Sequence, residues 1–176
     1  MADAAPARPG ARVAYLVRHA DAVARGSWPN RDGDRPLSDL GRRQADALAE
    51  VLAPLDGPAL ARALSSSALR CRETLVPAAR RAGVDLEQLD ELAEGSDPLV
   101  ALDAVVRTAM SLAQGASVVA CSHGDVIDGL LETLEPAGVE VVGPLRAPKA
   151  SVWELEVDAG ALRRARYVAP PVPADV

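Results

Sequence analysis

Only two histidines occur in this 176-residue chain, and each stands where a short apolar, β-prone run ends. Arg18-His19 follows the run Val13 to Val17, and Ser122-His123-Gly124 follows Ser117 to Cys121. A lone imidazole at a strand end is most often a satisfied core or rim group; two of two at equivalent places weakens that ordinary reading. A metal site is one alternative, but the cationic Arg18 beside His19 disfavours a divalent ion. An anion suits the pair better, because guanidinium groups hold phosphate while a neutral imidazole is free to attack phosphorus. Side chains alternate in direction along a strand, so a bend at its end is needed to aim Arg18 and His19 at one ligand.

A third stretch fits the same chemistry. Ser65-Ser66-Ser67-Ala68-Leu69-Arg70 follows an apolar run and opens a helical pattern, and helix N-termini bind anions through their free N–H groups. Arg70 could close such a cradle; its ordinary alternative is an exposed helix charge. Other chemistries fail on spacing. The chain has no GxxxxGK[ST], GxGxxG or GxSxG pattern. Neither Cys71 nor Cys121 has the arginine six residues on that a cysteine phosphatase needs, since Pro77 and Ile127 stand there. The two cysteines also lack CxxC spacing, so they read as reduced packing residues. Ser122 and His123 are adjacent, a poor arrangement for a nucleophile and its base.

Four apolar runs read as strands: residues 12–17, 60–65, 117–121 and 151–157. Between them lie four helical patterns. One starts after the N-cap Ser38 and runs to Pro54; others cover Ser67 to Ala82 (with Pro77 inside), Asp97 to Gln114, and Gly124 to Leu134. This alternation predicts an α/β fold, a three-layer α/β/α sandwich around a largely parallel sheet, with ligands beyond the C-terminal strand ends. The expected organisation is a tail at 1–10, one domain over 11–168 and a second tail at 169–176, both tails rich in Ala and Pro. Residues 19–37 form a long polar stretch without periodicity, a loop length that is usually functional or mobile.

Composition limits the partners. With 49% hydrophobic and 25% charged residues the chain should fold, and its length suits a single core. Phe is absent, there are two Trp and two Tyr, and net charge is −6, which argues against nucleic-acid binding by base stacking or phosphate attraction. Aromatic stacking is not expected to organise the core. No apolar run reaches the roughly 18–20 residues of a membrane helix and no signal-peptide pattern is present, so a cytoplasmic location without membrane contact is the expectation. Lys149 is the only lysine; an arginine bias of this kind accompanies the many Ala, Gly and Pro residues and carries little functional weight. Arginines grouped locally can still reverse the field inside one cleft.

Taken in order, LVRHADA, DRPLSDLGRRQA, SSSALRCRET and VVACSHGDVI resemble the motifs of the histidine phosphatase superfamily, the phosphoglycerate mutase-like proteins, over roughly residues 12–168. Within it the compact length and the late KASVWELE look like the short, phosphohistidine-phosphatase-like branch and the phosphatase domain fused to some Nudix hydrolases. The resemblance implies a phosphatase with a covalent phosphohistidine intermediate. It assigns His19 as nucleophile, Arg18 and Arg70 as ligands of the phosphoryl oxygens, and His123 as hydrogen-bond donor to the transferring group. It implies no metal and no cofactor. The acid that protonates the leaving group falls on Glu94 of Leu92-Ala93-Glu94, with Glu91 as substitute. Arg25 stands where many relatives carry a phosphate-binding Asn, and Arg31, Arg35 and Lys149 are further candidate contacts. The implied substrate is a phosphohistidine protein or a small phosphorylated metabolite or nucleotide, taken into an open, shallow cleft. A catalytically weak phosphate-binding regulatory module of the same fold is the competing reading, and mutase activity ranks below both.

Overall fold

The structure is a computed structural model that describes residues 11–53 and 58–172. The tail expected at 1–10, the last four residues of the one expected at 169–176, and the helix stop at Pro54 therefore fall outside the described residues. Seven strands form one sheet: β1 (Arg12–Arg18), β2 (Ala59–Ser65), β3 (Leu86–Gln88), β4 (Ala116–Ser122), β5 (Glu140–Val142), β6 (Val152–Asp158) and β7 (Ala161–Val168). Their order is β3-β2-β4-β1-β6-β7-β5. Every neighbouring pair is parallel except the two that involve β6. The expected largely parallel sheet is thus observed.

Four helices cover it: α1 (Asp39–Leu52), α2 (Leu69–Ala82), α3 (Pro98–Ser111) and α4 (Gly124–Leu134). Alternation along the strands decides which helices lie on which face. Val13, Tyr15 and Val17 of β1 pack with Leu48 and Leu52 of α1 and Leu75 of α2, whereas Ala14 and Leu16 pack with Val105 of α3 and Ile127 and Leu130 of α4. The central strands are therefore buried on both faces, as a three-layer sandwich requires.

Local signals explain the helix starts. The Ser38 hydroxyl accepts from Gly41 N (3.1 Å), and the Asp97 carboxylate accepts from Leu99 N (2.8 Å) and Val100 N (3.4 Å) ahead of Pro98. α2 begins two residues later than the serine run suggests and has no side-chain cap; Gly83, at φ +69°, ends it. Pro77 is accommodated within it. The aperiodic stretch 19–37 is not bare loop: it holds two 3-10 turns, Arg25–Ser27 and Asp32–Asp34, and closes through an Ala22–Leu37 bridge. Although aromatics are few, Trp153 and Tyr167 pack with ring centroids 5.7 Å apart. None of the described helices is long and apolar enough to cross a membrane.

Candidate active site

Strands β2, β4 and β1 run parallel side by side, so their C-terminal ends meet at one edge, where ligands of such sheets bind. Arg18 is in register with Ser122, and His19 N–H donates to the Ser122 carbonyl (3.1 Å). The two histidines predicted from the sequence consequently face one another, with ring centroids 5.5 Å apart and planes at 65°.

The His19 ring is fixed by its own backbone. Its Nδ1 lies 2.8 Å from the Ala20 carbonyl oxygen, which can only accept, so Nδ1 carries the proton and Nε2 keeps its lone pair. Burial pushes its pKa from 6.5 down to about 3; the charges of Arg70, His123 and Arg18 act the same way, and the Ala20 hydrogen bond opposes them. The turn that carries the ring is tied down around it. Ala20 N–H donates to Thr74 Oγ1 (2.9 Å), which itself donates to the Arg70 carbonyl (2.7 Å). Asp21 accepts from Ser38 Oγ (2.6 Å) and Lys149 Nζ (2.7 Å), and its N–H donates to Gln44 (2.9 Å).

Two guanidinium groups flank the histidines. Arg18 reaches the cavity because its Nη1 donates to the Ala147 carbonyl (2.6 Å) and its plane lies against Gly124. An added Cβ on Gly124 would sit 2.6 Å from Arg18 Cζ, so that glycine leaves the space the guanidinium needs. Arg70 is only 1% exposed. Its Nη1 contacts the Asp32 carbonyl (2.9 Å) and carboxylate (3.1 Å), and its Nη2 donates to Glu94 Oε2 (2.7 Å). The Nε atoms of Arg18 and Arg70 are buried without a hydrogen-bond partner among the described residues.

His123 is held from both sides. Arg70 Nη2 lies 3.3 Å from its Nδ1, and a guanidinium can only donate, so the proton resides on Nε2, 2.9 Å from Ser66 Oγ. Cys71 Sγ is 3.5 Å from the same nitrogen. Burial raises the Cys71 pKa, but hydrogen bonds to Cys121 and His123 and the Arg70 charge outweigh it and bring it down. Cys71 is thus a neighbour of the site as well as the packing residue its burial makes it.

Arg18, His19, Arg25, Arg35, Arg70, Glu94, His123 and Lys149 all line one cavity of about 400 Å³. Glu91 does not; it lines a separate hollow with Arg62 and Arg107. Arg31 is outside the lining too. Sequence reasoning missed Asp32, whose carboxylate meets Arg35 Nε (2.9 Å), Arg25 Nε (3.0 Å) and Arg70 Nη1 (3.1 Å). Partial burial opposes its ionisation, but the Arg35 hydrogen bond and the three cationic charges prevail and hold its pKa below the ordinary value. It also missed Ser66, Thr74, Gly124 and Asp125. The expected open, shallow cleft is corrected as well: Ala22, Ala24, Arg25 and Arg35 wall one side, and Arg25 Nη2 reaches across to Glu94 Oε1 (3.2 Å).

Residues 14–96 match the family described as the histidine phosphatase superfamily (branch 1). The 8-oxo-(d)GTP phosphatase of Mycolicibacterium smegmatis is 31% identical over 171 residues, which cover 91% of this chain and 49% of that protein. The chain thus spans about half the length of that curated relative. Among solved structures, a SixA protein of Agrobacterium tumefaciens is 25% identical with a TM-score of 0.65, over 90% of this chain and 99% of that one. The protein histidine phosphatase SixA complexed with tungstate is 22% identical with a TM-score of 0.66, over 89% and 94% of the two chains. A parallel sheet thus brings two histidines, the half-buried Arg18 and the buried Arg70 to its C-terminal edge, and residues 14–96 of this α/β chain belong to the histidine phosphatase superfamily. Within that superfamily it resembles the short SixA-type chains along nearly their whole length.

Proposed function

We propose that the chain is a phosphatase that moves a phosphoryl group onto His19 Nε2 and then to water, with no metal ion. The observation that carries this reading is the state of the His19 ring: burial disfavours its charged form, its proton is fixed on Nδ1 by the Ala20 carbonyl, and the ring lines a cavity shared with Arg18 and Arg70. That is the form in which an imidazole is a nucleophile. Nε2 forms the N–P bond as the bond to the leaving oxygen or nitrogen breaks. Arg18 and Arg70 receive the charge that spreads over the phosphoryl oxygens, and His123 backs Arg70 through Nδ1, its own N–H being directed at Ser66. Glu94, an anion in its pairs with Arg70 and Arg25, takes a proton from the incoming phosphate monoanion that displaces it, gives that proton to the leaving group, and takes one from the water that later hydrolyses phospho-His19.

The substrate class follows from the lining. Among the described residues, Ala22 and Ala24 are the only apolar side chains of the lining and it holds no Phe, Tyr or Trp, so charge selects the ligand and the leaving group is not gripped by an apolar wall. A phosphomonoester or phosphoramidate satisfies this, on a small metabolite, a nucleotide or a protein histidine. The likenesses to an 8-oxo-(d)GTP phosphatase and to SixA support the last two. Arg25, paired only at the cavity mouth and 67% exposed, is the further phosphate contact in this reading.

The test is phosphate release from p-nitrophenyl phosphate, phosphohistidine and nucleoside phosphates with EDTA present, by the native chain and by His19→Ala. EDTA-resistant turnover that vanishes with His19, together with an acid-labile, base-stable phosphoprotein on quenching, is the expected result. Turnover that survives the loss of His19 would refute the covalent route, and inactivity on every probe would favour a binding module.

A further inference from the structure

Glu94, the acid of the proposed reaction, sits on a short connection between a 3-10 turn (Asp90–Leu92) and α3. Neither element fixes Glu94 relative to the histidines by itself. Two hydrogen bonds do so, one on each side of it. The Ser122 hydroxyl donates to the Leu92 carbonyl (2.9 Å), a fully buried contact. The Asp125 carboxylate accepts from Gly95 N–H (2.7 Å). Both partners come from the β4–α4 junction, and His123 lies between them in the chain. Gly95 has φ +82°, a left-handed turn open to glycine, which brings its N–H round to Asp125. Arg70 Nη2 then completes the arrangement by touching both Glu94 Oε2 and His123 Nδ1.

We infer that Ser122 and Asp125 are positioning residues that clamp the acid-bearing connection to the His123 segment, setting where Glu94 meets the leaving group. The inference rests on the reading of Glu94 as the acid. Asp125 lines the cavity and its Oδ2 is held by the Gly95 amide, which gives it a hold on the Glu94 connection. The exposed Asp125 can be replaced without opening the core, whereas loss of the Ser122 hydroxyl leaves a buried carbonyl without its donor. Asp125 is therefore the better probe.

The experiment compares kcat/KM for glycerol 2-phosphate, whose alkoxide needs a proton to leave, with that for p-nitrophenyl phosphate, whose leaving group does not. Asp125→Ala is expected to lower the ratio of the two by about 10- to 100-fold, the cost of misplacing a general acid. Glu94→Gln should lower it at least as far, and Asp125→Ala should lower it no further in a Glu94→Gln background. Asp125→Asn, whose amide oxygen can still accept from Gly95, should restore most of the ratio. An equal loss on both substrates, or independent losses that multiply in the double variant, would overturn the clamp. A selective loss in Asp125→Ala but not in Glu94→Gln would also overturn it, making Asp125 itself the acid. If neither variant is selective while turnover still requires His19, Glu94 is not the acid and the clamp falls with that assignment, leaving the covalent route intact.

Discussion

The depressed pKa of His19 makes stability depend on pH in a way that one substitution can isolate. The folded protein resists protonating this 7%-exposed ring until about pH 3, whereas the unfolded chain protonates it near its ordinary value of 6.5. Between those values the unfolded state binds more protons, so stability falls as pH falls through that window. Integrating from pH 7 to pH 5 gives a loss of about 2 kcal/mol from His19 alone, equivalent to roughly 4–8 °C in Tm for a chain of this size. Carboxylates with lowered pKa, such as Asp21 and Asp32, lose their contribution only at lower pH. The assay is urea unfolding of the native chain and of His19→Gln at pH 7, 6 and 5, where groups common to both cancel. The stability of the native chain relative to the variant should drop by about 2 kcal/mol over that range. A difference that stays constant from pH 7 to pH 5 would mean that His19 titrates normally, and would remove the basis for treating its ring as a neutral nucleophile.

Three substitutions test the geometry around it. Gly124→Ala places a Cβ against the flexible end of Arg18, so stability should change by less than about 1 kcal/mol while kcat/KM falls about 10- to 100-fold; a normal kcat/KM would show that Arg18 need not lie there. Gly41→Ala does the reverse. Its Cβ would meet the Asp21 carbonyl oxygen at 1.8 Å, backbone that cannot step aside, and should cost about 2–3 kcal/mol in thermal or urea unfolding. Arg70→Lys keeps the charge but loses the fork shared by Asp32, Glu94 and His123, and should lower kcat/KM about 100-fold in steady-state kinetics.

What the sequence made legible were features with local causes. The apolar runs of β1 and β4 and the Ser38 and Asp97 caps can be read from a few residues each, and the histidines follow because they end those strands. β7 was missed because Arg163, Arg164 and Arg166 break its apolar pattern; across the sheet, Arg166 meets Glu154 (2.6 Å), and Arg164 meets Glu156 (3.3 Å) and Glu140 (3.5 Å). β3 and β5, three residues each, are too short to show a period. In the site, Glu94 and Arg25 could be placed by motif, but Asp32 lies in a stretch without periodicity and gains its role from arginines 3, 7 and 38 positions away. Gly124 gave no sign of why a side chain is excluded there, since the obstacle is Arg18, distant in sequence.

The pairing of Arg70 with Asp32 and Glu94 bears on how a catalytic cycle would end. An arginine with free donors would hold inorganic phosphate as readily as it seats the substrate, and the product would linger. Here two carboxylates from the chain itself already occupy Arg70, so any oxyanion gains only the difference between its own hydrogen bonds and theirs. Arriving phosphoryl groups must exchange with these internal anions, and departing phosphate is displaced as they return. The cavity is in this sense an ion exchanger with its resting counterions attached, suited to weak product inhibition and to release that keeps pace with chemistry.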